Sequence, residues 1–168
     1  SCRSLSCSLC LLQEPLLQSL SPAGASPAAS PAELTVRAST RNPVDGMPSR
    51  ASRVLKIDPA KQEVSQVGPD FDGDFKWLSG ALAKDGCIYA PPHSFTRVLK
   101  INTATQSMSL IGGDFEGGEK WIGAVAANDG CIWCIPQKAK RVLKIDPIKQ
   151  QATLVGESFD GGDTKWLL

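Results

Sequence analysis

The stretch RVLKID at residues 53–58 decides the fold, because the chain repeats it twice almost unchanged. It returns as RVLKIN at 97–102 and as RVLKID at 141–146, so each copy begins 44 residues after the one before. Successive side chains of a strand point to opposite faces, which places Leu55 and Ile57 together on one face of the predicted strand. A hexapeptide that recurs at a constant interval indicates a structural repeat.

Landmarks on both sides of this hexapeptide keep the same spacing. Trp166 falls one residue late, and Thr164 accounts for the shift as an inserted residue. Periods of about 40–50 residues indicate stacked supersecondary units, and this length suits a four-stranded propeller blade. The recurring residues are Phe71, Phe115 and Phe159, Trp77 and Trp121, Asp85 and Asp129, Gly86 and Gly130, and Cys87 and Cys131.

The first half of each copy predicts a β-hairpin. The small residues at 79–83 suit an innermost strand, where the backbones of neighbouring blades approach closely. Asp85 and Gly86 tolerate the positive φ that a tight hairpin turn demands. The chain then returns through the apolar, β-prone residues 87–90, and Pro91 ends that strand.

The second half of each copy predicts another pair of strands. A third strand at 97–101 is closed by Asn102, whose side chain can bond the backbone two residues on and so begin a turn. A fourth strand at 107–111 follows, and Gly112 stops it. Four short strands joined by tight turns predict one antiparallel meander per copy, and the sequence shows no long amphipathic helix after residue 53.

The ordered motifs of a copy resemble the blades of β-propellers. The order is W-x-x-G/A-A/V-x-A-x-D-G-C-I-Y/W, then R-V-L-K-I-D/N, then a variable strand that ends in Gly. It is most similar to the NHL, YVTN and gluconolactonase-like groups, and the resemblance covers residues 53–168. It implies an all-β fold but no single function, because propellers host enzymes, sensors and docking platforms alike.

The predicted fold is therefore an incomplete β-propeller of about two and a half four-stranded antiparallel blades. Residues 53–68 give the last two strands of one blade, 77–112 and 121–156 give two complete blades, and Trp166 begins another. Closed propellers hold about 4–8 blades. We expect either a fragment of a longer propeller, which is the favoured interpretation, or a ring completed with other copies through the open blade faces.

Residues 1–52 are predicted to be a disordered, low-complexity leader with a degenerate blade remnant at its end. The stretch SLSPAGASPAASP at 19–31 has no periodic apolar face, so burial cannot offset the entropy of ordering it. Residues 45–50 resemble the hairpin and loop of an earlier copy, although the Cys-Ile-Tyr-Ala strand is absent. The leucine-rich segment 9–17 fits a marginal helix or lead-in better than a targeting peptide.

Composition excludes two classes of function. The chain has 18 Lys and Arg against 17 Asp and Glu, a net charge of +1, whereas nucleic-acid binders show a basic excess or stripe. No apolar run approaches the roughly 18 residues of a membrane span. Nucleic-acid and membrane-spanning partners are therefore not expected, and the six cysteines do not indicate a cellular compartment.

Two short motifs invite a metal-site interpretation. The loop at 70–74 carries alternating carboxylates that could converge on calcium, but an exposed inter-blade loop anchored by Phe71 is favoured. Cys131 and Cys134 form a C-x-x-C motif. Side chains three residues apart in a strand point to opposite faces, so these two thiolates do not easily coordinate one metal ion. We predict that Cys87 and Cys131 are buried core residues.

Three further residue types could serve either binding or packing. His93 is expected to be a solvated loop residue, because a Ser/His/Asp catalytic triad would need partner side chains that the sequence does not place beside it. Tryptophans at blade entrances can form a binding rim, but recurrence in every copy favours packing. Each lysine of the RVLKID strand is expected to lay its stem along a neighbouring blade and keep its ammonium in water. The tryptophans are Trp77, Trp121 and Trp166, and the lysines are Lys56, Lys100 and Lys144.

The sequence favours a non-catalytic binding or scaffolding module over an enzyme, with a protein or a small ligand at a propeller face. It predicts no catalytic residue, metal ligand or cofactor. One alternative is a fragment of a gluconolactonase- or lyase-like enzyme, for which the resemblance implies a metal held by inner strands. The inner strands at 79–83 and 122–126 carry no such ligand. A degenerate or truncated gene product is the other alternative.

Overall fold

The computed structural model describes residues 44–161 and residue 166, and these lie in strands, turns and loops. The disorder predicted for the leader concerns mainly residues 1–43, which lie outside the described part. Within that part no helix is long and apolar enough to cross a membrane. The strands are β1 (Val44–Gly46), β2 (Val54–Asp58), β3 (Glu63–Val67), β4 (Ala81–Leu82), β5 (Cys87–Ala90), β6 (Val98–Asn102), β7 (Met108–Ile111), β8 (Trp121–Ala126), β9 (Ile132–Pro136), β10 (Val142–Asp146) and β11 (Gln151–Val155).

The strands form three antiparallel sheets, each a meander in chain order. The first sheet holds β1 to β3, the second β4 to β7, and the third β8 to β11. The same register recurs in all three, because Asp45 pairs with Lys56, Tyr89 with Lys100, and Trp133 with Lys144. The predicted all-β fold of an incomplete propeller is confirmed, with two four-stranded antiparallel sheets and a first sheet of three strands in the described part.

The first sheet differs from what the sequence predicts for its beginning. The sequence predicts a hairpin and loop at 45–50, but Val44–Gly46 is a strand that pairs with β2. This strand takes the position that β5 holds in the second sheet. Its Val-Asp-Gly sequence shares little chemistry with Ile-Tyr-Ala, so the pairing with β2, rather than local propensity, makes it a strand.

The first strands of the second and third sheets, β4 and β8, consist of small and larger apolar residues, so the predicted small-residue strand is found only in part. β4 and β8 contact each other at neighbouring edges. A Cβ on Gly80 would meet Ile88 Cγ2 at 2.9 Å and Met47 Sδ at 3.2 Å, so nothing larger fits there without a shift. The regular part of this strand is shorter than 79–83, since only Ala81–Leu82 pair with β5.

Neighbouring sheets pack face to face, and the second sheet uses one face against the first sheet and the other against the third. Leu99 and Ile101 are fully buried against the first sheet, together with Val54. Tyr89 and Val98 project from the opposite face of the second sheet and are fully buried against the third. Among the residues that the structure describes, the second sheet is therefore covered on both sides, whereas the first and third sheets are each covered on one.

Candidate functional site

The tryptophans at the blade entrances are packing residues. Trp77 and Trp121 are buried, and the indole nitrogen of each donates a hydrogen bond to a backbone carbonyl. Trp77 bonds the carbonyl of Arg97 and Trp121 that of Arg141, both at 3.0 Å. The predicted packing role is thus confirmed for these two rings.

A phenylalanine from the preceding loop meets each entrance tryptophan edge to face. Trp166 keeps this contact despite its late position in the sequence, but it is 41% exposed. The ring centroids lie 5.0 Å apart for Phe71 and Trp77, 5.2 Å for Phe115 and Trp121, and 5.0 Å for Phe159 and Trp166. The anchoring role expected for Phe71 is confirmed.

The acidic loop begins with an ion pair. Asp70 accepts two hydrogen bonds from the guanidinium of Arg53, at 2.9 and 3.1 Å, and Asp114 accepts one from Arg97 at 2.8 Å. The hydrogen bond from Arg53 lowers the pKa of Asp70. Asp72 is exposed, and no group of three His, Cys, Asp or Glu among the described residues could hold a metal ion.

Two buried lysines stand immediately before the entrance tryptophans. Lys76 and Lys120 are 1% and 5% exposed. The Lys76 ammonium donates to the Gly73 carbonyl at 2.5 Å, and that of Lys120 donates to the Gly117 carbonyl. Burial lowers the pKa of Lys120. Sequence reasoning missed this pair, although the Lys-Trp dipeptide recurs with the repeat and could have indicated it.

His93 is not the solvated loop residue that the sequence predicts. It is only 5% exposed. Its Nδ1 lies 3.2 Å from the carbonyl oxygen of Phe75, and its Nε2 lies 3.0 Å from Oε1 of Gln137. Gln137 holds the same repeat position one blade further on. Loops of neighbouring blades therefore pack onto each other and enclose the imidazole between them.

A polar network joins the second sheet to the third; we call its residues Asp85, Tyr89, Lys100 and Gln150 the inter-blade network. Lys100 donates to Gln150 Oε1 at 2.8 Å, and Gln150 Nε2 donates to the Tyr89 hydroxyl at 2.9 Å. The hydroxyl donates to Asp85 at 2.7 Å, and burial raises the pKa of Tyr89. The predicted contact of Lys100 with a neighbouring blade is confirmed, although its ammonium bonds a side chain there.

The outer two sheets vary this arrangement. In the third sheet, Lys144 lies 5.1 Å from the ring centroid of Trp133 and 3.8 Å from Asp129. In the first sheet, Asp45 takes the place of the ring, opposite Lys56. Both carboxylate oxygens of Asp45 are buried without a hydrogen-bond partner. Burial raises the pKa of Asp45, and the opposing effect of Lys56 is smaller.

The cysteines of the described part are buried free thiols. Cys87, Cys131 and Cys134 form no disulfide, and Cys134 is fully buried. Burial raises the pKa of Cys87 and of Cys134. A thiol reacts and binds metals as the thiolate, so a raised pKa makes these two thiols poor nucleophiles. The core positions predicted for Cys87 and Cys131 are confirmed.

Two apolar sheet faces have no covering blade within the described part of the chain. The leading face belongs to the first sheet and carries Val44, Leu55, Ile57 and Val64. The trailing face belongs to the third sheet and carries Trp133, Ile135, Val142 and Val155. Leu55 and Val64 are 39% and 65% exposed, whereas Leu99 and Leu143, which match Leu55 in the repeat, are fully buried.

The trailing face holds a groove of about 490 Å³. Three of its lining residues belong to the face itself, and the others come from the strands and loops around it. Large aromatic and proline side chains dominate, so the groove offers contact area more than polar recognition. The lining residues are Trp133, Cys134, Ile135, Pro136, Val142, Phe159 and Trp166.

Comparison with known proteins supports the fold and not a family. No protein-family model matches the chain, and no curated protein sequence does. A streptogramin B lyase structure is similar, with 13% identity, a TM-score of 0.53, and coverage of 64% of this chain and 35% of that one. Virginiamycin B lyase from Staphylococcus aureus gives 12% identity, a TM-score of 0.51, and coverage of 67% and 39%.

A third solved structure, hydrazine synthase from Kuenenia stuttgartiensis, gives 12% identity, a TM-score of 0.52, and coverage of 70% of this chain and 34% of that one. At such identities the similarity shows the fold alone, which is a β-propeller. The chain spans between 34% and 39% of the length of these three structures.

Proposed function

We propose that the chain is a non-catalytic β-propeller segment that acts as a binding or scaffolding module. The trailing face carries this proposal, because it presents an open groove of about 490 Å³ lined by Trp133, Val142 and Trp166 among others. Contiguous exposed apolar surface marks sites of interaction with other molecules. Aromatic side chains that fill pockets supply much of the energy in such contacts.

The placement of the reactive side chains supports the same proposal. The ammonium groups of Lys76 and Lys120 hold loop carbonyls, and His93 bridges two blades. The buried thiols of Cys87 and Cys134 have raised pKa values. The lysines and His93 make contacts within and between blades, and the thiols are poor nucleophiles, which supports a structural role for these groups. A binding role needs none of them.

The proposal includes an NHL-like type of blade and a protein or small ligand as partner. The Asp-Gly hairpin at Asp85 and the strand that starts after Arg97 support this type of blade. The alternative of a lyase-like enzyme fragment gains no support from the inner strands, since β4 and β8 consist of small and apolar residues. Neither strand offers a carboxylate, imidazole or amide for chemistry.

The test is peptide binding at the trailing face with a matched control. Peptides that bind the purified Leu55→Asp chain are selected from a displayed random library. Leu55 lies on the leading face, so this substitution leaves the trailing face unchanged. Trp133→Ala should then weaken binding of selected peptides by about tenfold or more. Ile148→Ala is the control, because Ile148 is 94% exposed in the turn between β10 and β11.

Far-UV circular dichroism verifies that each variant folds. Selected peptides that bind the Trp133→Ala chain as tightly as its parent would contradict a binding site in the groove. Turnover of a small-molecule substrate by the purified chain would contradict the non-catalytic role.

A further inference from the structure

We propose that the leading face of a second copy of this chain occupies the trailing face, so that two copies join head to tail. The inference rests on the proposed use of the trailing face as a binding surface and names its partner. The composition of the two faces repeats, position by position, the two surfaces that already meet between the second and third sheets.

The trailing face reproduces the surface that the second sheet turns toward the third. In that internal contact Tyr89 and Val98 are fully buried. The trailing face carries an apolar residue of similar size at each matching position. Trp133 matches Tyr89, Val142 matches Val98, and Val155 matches Ile111.

The leading face reproduces the surface that the third sheet turns toward the second. In the internal contact this surface is fully buried at Ile132, Leu143 and Ile145. The leading face again offers branched apolar side chains at the matching positions. Val44 matches Ile132, Leu55 matches Leu143, and Ile57 matches Ile145. A trailing face and a leading face therefore have the complementary halves of an interface that the chain already forms.

The hydrogen bond between side chains across the internal interface also has matching residues at the two open faces. Lys100 donates to Gln150 across the second and third sheets at 2.8 Å. Lys144 holds the position of Lys100 at the trailing face, and Gln62 holds the position of Gln150 beside the leading face. Gln62 is exposed, and its backbone has φ of 56° against 54° for Gln150. The second copy can thus present its Gln62 amide to Lys144.

Head-to-tail contacts between identical chains close into a ring or extend into a filament. The described part of each copy contributes three sheets, so two copies supply six from these residues. Closed propellers hold about 4–8 blades, and closure removes exposed apolar faces. We therefore expect a closed pair in which each trailing face meets the leading face of the other copy.

Sedimentation-velocity ultracentrifugation of the 168-residue chain tests the pairing. The expected mass is twice the 17.8 kDa of one copy. Val142→Asp at the trailing face and Leu55→Asp at the leading face should each give single copies, because an unpaired charge would be buried in every contact. Ile148→Asp, which lies on neither face, should leave the pair intact.

Mixing the two face variants distinguishes head-to-tail pairing from other arrangements. The Leu55→Asp chain keeps an intact trailing face, and the Val142→Asp chain keeps an intact leading face. An equimolar mixture should therefore form pairs that neither variant forms alone. A wild-type chain that stays single at all accessible concentrations, or pairs that persist in either variant alone, would overturn the proposal.

Variants at exposed Gln62 keep the test valid if a face variant fails to fold. Gln62→Glu places a carboxylate opposite Lys144 and should tighten pairing, whereas Gln62→Lys should weaken it, each by several-fold. Equal association constants for the two variants would contradict the proposed contact. Peptide binding is measured on the Leu55→Asp chain and therefore does not depend on pairing. A wild-type chain that stays single would overturn the pairing but not the proposed binding role.

Discussion

The leucine of the RVLKID strand occupies the same repeat position in three sheets but in two kinds of surroundings. Leu143 is fully buried, whereas Leu55 on the leading face is 39% exposed. Truncating a buried leucine removes apolar contacts and leaves a cavity, at a cost of about 2–5 kcal/mol. We predict a loss in this range for Leu143→Ala and a loss of about 1 kcal/mol or less for Leu55→Ala.

Urea unfolding of both variants measures these losses, at concentrations where the chain is single. The two substitutions are chemically identical, so they act as controls for each other. Equal losses of unfolding free energy would contradict the difference in burial between the two positions.

Asp45 predicts a dependence of stability on pH. Burial raises the pKa of this carboxyl in the folded chain above its ordinary value of 3.8. The folded chain therefore holds the proton more tightly than the unfolded chain, and stability falls as pH rises from the ordinary value through the raised one. Asp45→Asn should consequently stabilise the chain at neutral pH, and its advantage should shrink toward acid.

Unfolding free energies of the wild type and Asp45→Asn at neutral pH and near pH 4 measure this effect. An advantage of the asparagine variant that grows toward acid would contradict the burial of a charged carboxylate at this position.

At the scale of the elements, two glycines with similar positive φ predict different costs of substitution. Gly86 has φ of +77° with open space where an alanine methyl would lie, whereas Gly112 has φ of +81° with Ala152 Cβ only 2.9 Å from the methyl position. Gly86→Ala should cost about 1–2 kcal/mol from backbone conformation alone. Gly112→Ala should cost more, because it adds a steric clash with the next blade.

Gly113→Ala is the matched control for these turns, since Gly113 has an ordinary φ and no atom within 4 Å of an added Cβ. Thermal and urea unfolding of the three variants measure the order of the losses. A Gly112→Ala chain as stable as the Gly113→Ala chain would contradict the close contact between the second and third sheets.

The inter-blade network predicts that side chains of two sheets are energetically coupled. Lys100 bonds Gln150 directly, and residues in contact show coupling energies of about 0.5–3 kcal/mol in double-mutant cycles. A cycle with Lys100→Met and Gln150→Ala, followed by urea unfolding, should give a value in this range. Losses that add within about 0.5 kcal/mol would contradict a contact between these sheets.

The sequence predicted well those strands that a local signal defines. The strand at 87–90 matches β5, because the Asp-Gly turn fixes where it starts and a proline where it ends. β1 could not be found in this way, since Val-Asp-Gly has no strand pattern and depends on pairing with β2. Tertiary pairing therefore decided the element that sequence reasoning missed.

The polar residues of the candidate site were harder to predict than the strands. The burial of His93 and Lys76 depends on how loops of neighbouring blades pack, and no single repeat contains that information. The blade count predicted two open apolar faces. Identifying which residues lie on each face required the register of the strands. Trp133 holds the repeat position of the fully buried Tyr89, and its half-buried state became visible only from the packing of the third sheet.

At the scale of the whole molecule, the described part of the chain holds three sheets, and the second packs on both of the others. Such arrays derive their stability from repeat units plus the interfaces between them. Between residues 44 and 161, the second sheet has two of these interfaces and the first and third sheets have one each. The same geometry that buries Tyr89 and Leu99 thus leaves Leu55 and Trp133 at the ends, where the proposed binding and pairing occur.

The central claim is that one antiparallel unit recurs three times at the same register. Nuclear Overhauser contacts between backbone protons of opposed residues measure this directly in the single-copy Leu55→Asp chain. We predict cross-strand contacts for all three matching pairs, and contacts between residues three or four apart across 98–111, or a register that differs between copies, would contradict the fold. The pairs are Asp45 with Lys56, Tyr89 with Lys100, and Trp133 with Lys144.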